Sequence, residues 1–184
     1  MAQIHPTATV AASAVVTGDV TVGAGSRILA GVVLHGGLGP LRIGEDAVVM
    51  EHALLRGRGD HPVDVGDAVL VGPHAHLNGT VVEDEVFVAT GVSMFPGSRA
   101  GTGSELRIRS VLHVRSRLEP GTVLPIGWIA AGDPAQLFPP ERHDELWAVQ
   151  QGLDFPGTVW GTPRGTPMRE VMRRMSETFR PADG

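Results

Sequence analysis

Cysteine, lysine and tyrosine are all missing from this 184-residue chain. Without cysteine there is no thiolate nucleophile, no cysteine-ligated zinc and no disulfide. Without lysine there is no Schiff-base chemistry, and every strong cation is an arginine. Without tyrosine, proton transfer falls to histidine, aspartate, glutamate or water. Aromatic residues make up only 4% of a chain that is 42% hydrophobic, so the core must be aliphatic. No apolar run approaches the roughly 20 residues of a membrane span. No basic segment followed by an apolar one opens the chain, which leads us to expect a cytoplasmic protein with no membrane partner. The net charge of −5 argues against nucleic acid as a partner.

What is abundant is glycine, with 25 residues, beside 14 prolines, which points to frequent turns. The turns are regularly spaced. Aliphatic residues recur every six positions at Ile4, Val10, Val16, Val22, Ile28 and Leu34. The series resumes at Ile43, Val49 and Leu55, then at Val65, Val71 and Leu77, then at Val82, Val88 and Met94. A second small or aliphatic residue usually stands two positions earlier, as at Ala47, Ala53, Val69, Ala75, Val86 and Val92. Two inward positions in six, alternating with outward ones, describe a short strand followed by a sharp turn. Three such hexads close one coil, and coils stack by parallel pairing.

The pattern predicts an all-β solenoid and resembles the left-handed parallel β-helix of hexapeptide-repeat proteins, an exception to right-handed crossovers. We expect the β-helix over 1–135 and a C-terminal helical extension over 136–184. "HGGLGPLR" and "RGRGDHPVD" read as two loops leaving one corner, and the repeat fades after Met94. Helices are expected in "PPERHDELWAVQQGL" and "PMREVMRRMSETF", the second presenting Met168, Met172, Met175 and Phe179 on one face. "DFPGTVWGTPRGTP" reads as the linker between them. Arg107, Arg109, Arg115 and Arg117 read as the outer face of a strand pair. With Trp128, Trp147 and Trp160 near or in it, the extension either caps a pocket or serves in assembly.

The β-helix, the two corner insertions, the "GDPA" close and the C-terminal helices together resemble the γ-class carbonic anhydrase family over Ile4 to Phe138. The resemblance implies a homotrimer with metal sites between subunits, each built from three histidines. One histidine follows a third-hexad aliphatic residue, and two come from "GHxxxxHG". Here those positions hold Arg56, Pro73 and Asn78, within "GPHAHLNG". The family's upstream "RGD" falls on His35-Gly36-Gly37, and its glutamine–aspartate pair falls on Met50 and Glu51.

Histidines nevertheless crowd these positions, and three readings stand open. In the first, His52, His74 and His76, joined by Glu51, hold one divalent metal such as Zn, Fe or Co between two subunits, and a bound water attacks a carbonyl or CO2. In the second, no metal takes part. Arg56 then binds a substrate carboxylate, Asn78 donates to a developing oxyanion, and a histidine such as His35 moves protons with Glu51. In the third, the residues are interface polarity in a structural trimer. The resemblance favours a hydratase, lyase or hydrolase acting on a small, anionic carbonyl or carboxylate compound. The alternative activity among hexapeptide proteins is acyl transfer from acyl-CoA, with His35, His52, His74 or His76 as base. His5, His61, His113 and His143 read as surface or loop histidines, and Asp60 as part of a solvated loop.

Overall fold

A computed structural model describes residues 1–179. The chain winds as a left-handed parallel β-helix with three faces, followed by three short helices. The first face stacks Val16, Leu34, Leu55, Leu77, Met94, Leu112 and Ala130 on successive rungs. The second stacks Val10, Ile28, Val49, Val71, Val88, Leu106 and Leu124. The third runs from Ile4 through Val22, Ile43, Val65, Val82 and Ala100 to Leu118. From Leu34 and Ile28 onward these inward side chains are all but inaccessible, so the periodicity read from the sequence is the core itself.

The repeat does not fade after Met94. It continues in steps of six through Ala100, Leu106, Leu112, Leu118, Leu124 and Ala130, all buried. What changes is the second inward position, where Ser98, Ser104, Ser110 and Ser116 replace alanine and valine and are themselves buried. A serine at a core position breaks the apolar pattern without breaking the fold. Ser98 is satisfied by Thr80 Oγ1 at 2.7 Å, and Ser116 accepts from the Gly132 N–H at 2.9 Å. The hydroxyls of Ser104 and Ser110 have no partner among the described residues.

The first corner insertion is not a loop. Val33–Ile43 is one strand that turns the corner, pairing with Leu54–Arg56 at its start and with Val63–Val65 at its end. The second insertion is a short hairpin closed by a bridge between Arg58 and His61. Both lie at one corner, since Gly57 and Gly59 donate their N–H groups to His35 and Leu38. The arginine cluster is no strand pair either. Arg109 and Arg115 occupy corners with φ of 56° and 52°, while Arg117 lies on the strand Arg117–Leu118.

A short strand, Gln136–Phe138, folds back antiparallel on Ile129–Ala131, three residues past the expected boundary. Helix α1 (His143–Gln150) follows and packs Leu146 on Ala131 and Phe138. The expected linker contains a second helix, α2 (Phe155–Trp160), capped by Asp154, whose side chain accepts from the Gly157 N–H. Its length of under two turns hid it from periodicity. Helix α3 (Met168–Thr178) is present, with Val171 buried. Met168 and Met172 of its expected apolar face stay exposed, because the helix touches the body with Val171 instead. Of the helical extension over 136–184, the last five residues lie outside the described residues.

The serine ladder makes a stability contrast. Ser104→Ala removes an unpaired buried hydroxyl and is expected to raise stability by about 1 kcal/mol. Ser116→Ala strands the Gly132 N–H and is expected to cost about 1 kcal/mol, while Leu112→Ala opens a cavity and costs about 2–5 kcal/mol. Urea denaturation of the three variants measures the order.

Candidate functional site

A parallel helix of this kind stacks equivalent residues about 4.8 Å apart. On the first face, the residue after each inward side chain points outward, so Thr17, His35, Arg56 and Asn78 form one column. Phe95 and His113 continue it, each following a paired inward residue. Thr17 Oγ1 and His35 Nδ1 lie 2.9 Å apart and share a hydrogen bond. Above them the column is not satisfied. Arg56 Nε and Asn78 Oδ1 are buried atoms with no partner among the described residues. Phe179 lies over the Arg56 guanidinium, 5.3 Å from its carbon to the ring centre.

His76 stands on the same strand two residues before Asn78, paired between Leu54 and Ser93. Burial, and then the nearby Arg56 charge, hold its imidazole below the ordinary histidine value, so it is neutral near pH 7. Apart from Ser93 on the next rung, the outward column around it is apolar: Val15, Val33, Leu54, Val111 and Ile129.

Glu51, His52 and His74 occupy the corner that precedes this strand. The His52 and His74 rings stack with centres 5.4 Å apart and planes 10° from parallel. Both residues have left-handed backbone, with φ of 59° and 57°. The rung below is Gly31, where a β-carbon would run into the His52 ring. The His74 N–H donates to the Glu51 carbonyl at 3.1 Å. Left-handed corners are not special to histidine, since Asp46, Ala68, Glu85, Arg109 and Arg115 adopt them too. The structure thus gathers His35, Arg56, Asn78 and His76 on one face, and Glu51, His52 and His74 at the adjoining corner.

One chain does not assemble the metal set. Among the described residues, no three His, Cys, Asp or Glu side chains sit where they could hold one ion. The reason is geometric. A metal lies in the plane of each imidazole that binds it, and two stacked parallel rings share no such point. Two of the family's ligand positions are Arg56, an obligate cation, and Pro73, which offers no side-chain donor. Within one chain the donor set does not converge on one point.

Reading His113 as a surface histidine is overturned. It is 5% exposed, and its Nε2 lies 2.8 Å from Gln150 Nε2 of α1. Phe155 packs against it and against Phe95, with ring centres 5.8 and 5.6 Å away. His113 stands two rungs above Asn78 in the same column, and the serine positions hid that register. His61 stays on the second insertion, half-buried at the bridge to Arg58.

No family profile matches the chain. The carnitine operon protein CaiE of Escherichia coli is 31% identical over 175 residues, covering 95% of this chain and 86% of that one. Mitochondrial gamma carbonic anhydrase 1 of Arabidopsis thaliana is 30% identical over 149 residues, covering 77% of this chain and 52% of its own length. A carbonic anhydrase of Geobacillus kaustophilus is 24% identical, with 81% and 79% covered. The chain thus spans about half the length of the plant relatives it matches. Among solved structures, a hexapeptide transferase family protein of Anaplasma phagocytophilum superposes with a TM-score of 0.57 at 20% identity, covering 95% and 92%. A Bacillus cereus structure gives the same TM-score and identity over 96% and 91%. At that identity the likeness is one of fold.

Burial holds His113 below its ordinary value, as it does His76. The unfolded chain therefore takes up protons below about pH 6.5 while the folded chain still excludes them. Stability falls as pH drops through that window, by at most about 1.4 kcal/mol per pH unit for each histidine. His113→Gln removes one of the two and is expected to make the acid loss shallower. Urea midpoints at pH 7.5, 6 and 5 in both proteins test the slope.

Proposed function

Because the chain belongs to the γ-carbonic-anhydrase-like family of hexapeptide-repeat proteins, we propose that it is a homotrimer whose remodelled intersubunit site hydrates or hydrolyses a small carbonyl or carboxylate compound. The observation that carries this reading is the pair of orphaned buried atoms, Arg56 Nε and Asn78 Oδ1, on adjacent rungs at two of the family's ligand positions. Leaving both unpaired costs stability; a bound carboxylate accepts from Arg56 Nε, while Asn78 Oδ1, itself an acceptor, takes a hydrogen bond from the attacking water.

The roles follow from chemistry. Arg56 anchors the substrate carboxylate, and the Asn78 amide donates to the oxyanion that forms when water adds to the carbonyl. His76 is neutral and takes the proton of the attacking water. The apolar column of Val15, Val33, Leu54, Val111 and Ile129 supports burial against a neighbouring subunit. That neighbour would bring its Glu51, His52 and His74 corner to the Arg56 column, where the carboxylate and imidazoles relay the proton onward. His35, tied to Thr17, orients the lower end of the column. Among the described residues no helix is long and apolar enough to cross a membrane.

Sedimentation should show a trimer. Against a panel of small carboxylic esters and CO2, Arg56→Ala and Asn78→Ala should each lower kcat/KM by about 10²-fold or more. Full turnover in both variants, or a monomer that turns over, would overturn the reading. So would one metal equivalent per subunit that is lost in His76→Ala, which would move the chemistry onto a relocated histidine site.

A further inference from the structure

The acids outnumber the arginines, 20 to 15, yet the pairing is uneven. Arg99, Arg107, Arg117, Arg142 and Arg174 have carboxylate partners. The other nine described arginines have none, among them Arg56, Arg58 and Arg115. The last two line one open cleft of about 830 Å³ between the β-helix corner and the C-terminal segment. Its other lining residues include His61, Trp160, Thr162 and Met175.

The cleft is built rather than incidental. His61 and Arg115 both lean across Gly97, where a β-carbon would lie 3.3 Å from His61 Cε1 and 3.4 Å from Arg115 Cγ. With φ of 75° and this close approach, a side chain at Gly97 would be strained and would press on both. Arg58 is held in place by donating to the Val159 carbonyl at 2.7 Å. Burial and then the Arg56 charge push its guanidinium below the usual value, as expected for a cation lacking an anion. Thr162 is 2% exposed, and its hydroxyl has no partner among the described residues. Of the two acids lining the cleft, Asp154 caps α2 and Asp60 is exposed on the hairpin. Neither pairs with Arg58 or Arg115.

We propose that this cleft is a second ligand site, separate from the Arg56–Asn78 column, which takes the phosphates of a nucleotide-like organic phosphate. A carboxylate presents two oxygens in one plane and is satisfied by a single arginine fork. Here two guanidinia and an imidazole line one cleft from different residues, which suits an anion with more oxygens and more charge. Trp160 and Met175 also line the cleft and contribute apolar surface for a flat ring.

The test is direct titration with ADP, pyrophosphate, adenosine and acetate, by calorimetry and by tryptophan fluorescence. ADP should bind more tightly than pyrophosphate and weaken with added salt, and adenosine and acetate should not saturate. Arg115→Ala should weaken ADP binding about tenfold. Arg115→Gln, at an exposed corner, should do the same with an unchanged circular dichroism melt. Trp160→Leu should remove the advantage of ADP over pyrophosphate. Arg56→Ala should weaken ADP binding much less than Arg115→Ala does, because Arg56 reaches the cleft only through its charge on Arg58, which separates failure of this site from failure of the proposed reaction. No saturable ADP binding at millimolar concentration overturns the proposal. So does ADP binding that survives both Arg115 variants, ADP binding lost in Arg56→Ala, or acetate binding as tightly as pyrophosphate.

Discussion

Parallel stacking at about 4.8 Å per rung is the constraint on which everything else in this protein depends. Each coil must return to the same register, so inward residues fill one aliphatic core and outward residues fall into columns. Any chemistry then has to be written along a column or across a corner. Arg56 and Asn78 are neighbours because Leu55 and Leu77 pair inside the wall. His52 and His74 stack for the same reason at the corner. As arranged here the two imidazoles do not converge, since the rings lie parallel. A corner ladder of histidines is well suited to relaying protons and poorly suited to chelation within one chain.

The C-terminal segment changes what the first face can do. A bare β-helix would expose Phe95 and His113 as it does Val15. Instead Phe155 and Gln150 cover them, and the cover ends near Arg56 with Phe179 over the guanidinium. Covering the upper column lowers the local dielectric around Asn78 and His76, which strengthens any charge–dipole interaction made there. The segment also lies against Arg58 and Arg115, which have no carboxylate partner among the described residues.

The stretch after Met94 shows how a strict physical rule can be hard to see. The solenoid needs one large aliphatic residue per hexad, and Leu106, Leu112, Leu118 and Leu124 supply it. The second inward position needs only small volume, which serine satisfies when a neighbouring hydroxyl or N–H completes its bonding, as at Ser98 and Ser116. Hydrophobicity hides this substitution, whereas residue volume reveals it. The same lapse concealed His113, whose place in the column follows at once when the register is carried on from Asn78.

The six-residue period determined the solenoid, because a coil of three hexads buries two of every six side chains on a regular schedule. It also placed His35, Arg56 and Asn78 in one column and His52 beside His74, since residue spacing translates directly into rung position. Tertiary structure decided the rest. The corner insertion runs on as strand because its backbone groups find partners on both adjacent faces, which spacing cannot report. Helix α2 spans under two turns and holds its place through Phe155 packing on Phe95 and His113, contacts some 40 to 60 residues apart in the chain. The cleft of Arg58, His61, Arg115 and Trp160 exists only where that segment lies against the corner. Its residues share no period, and folding alone brings them together.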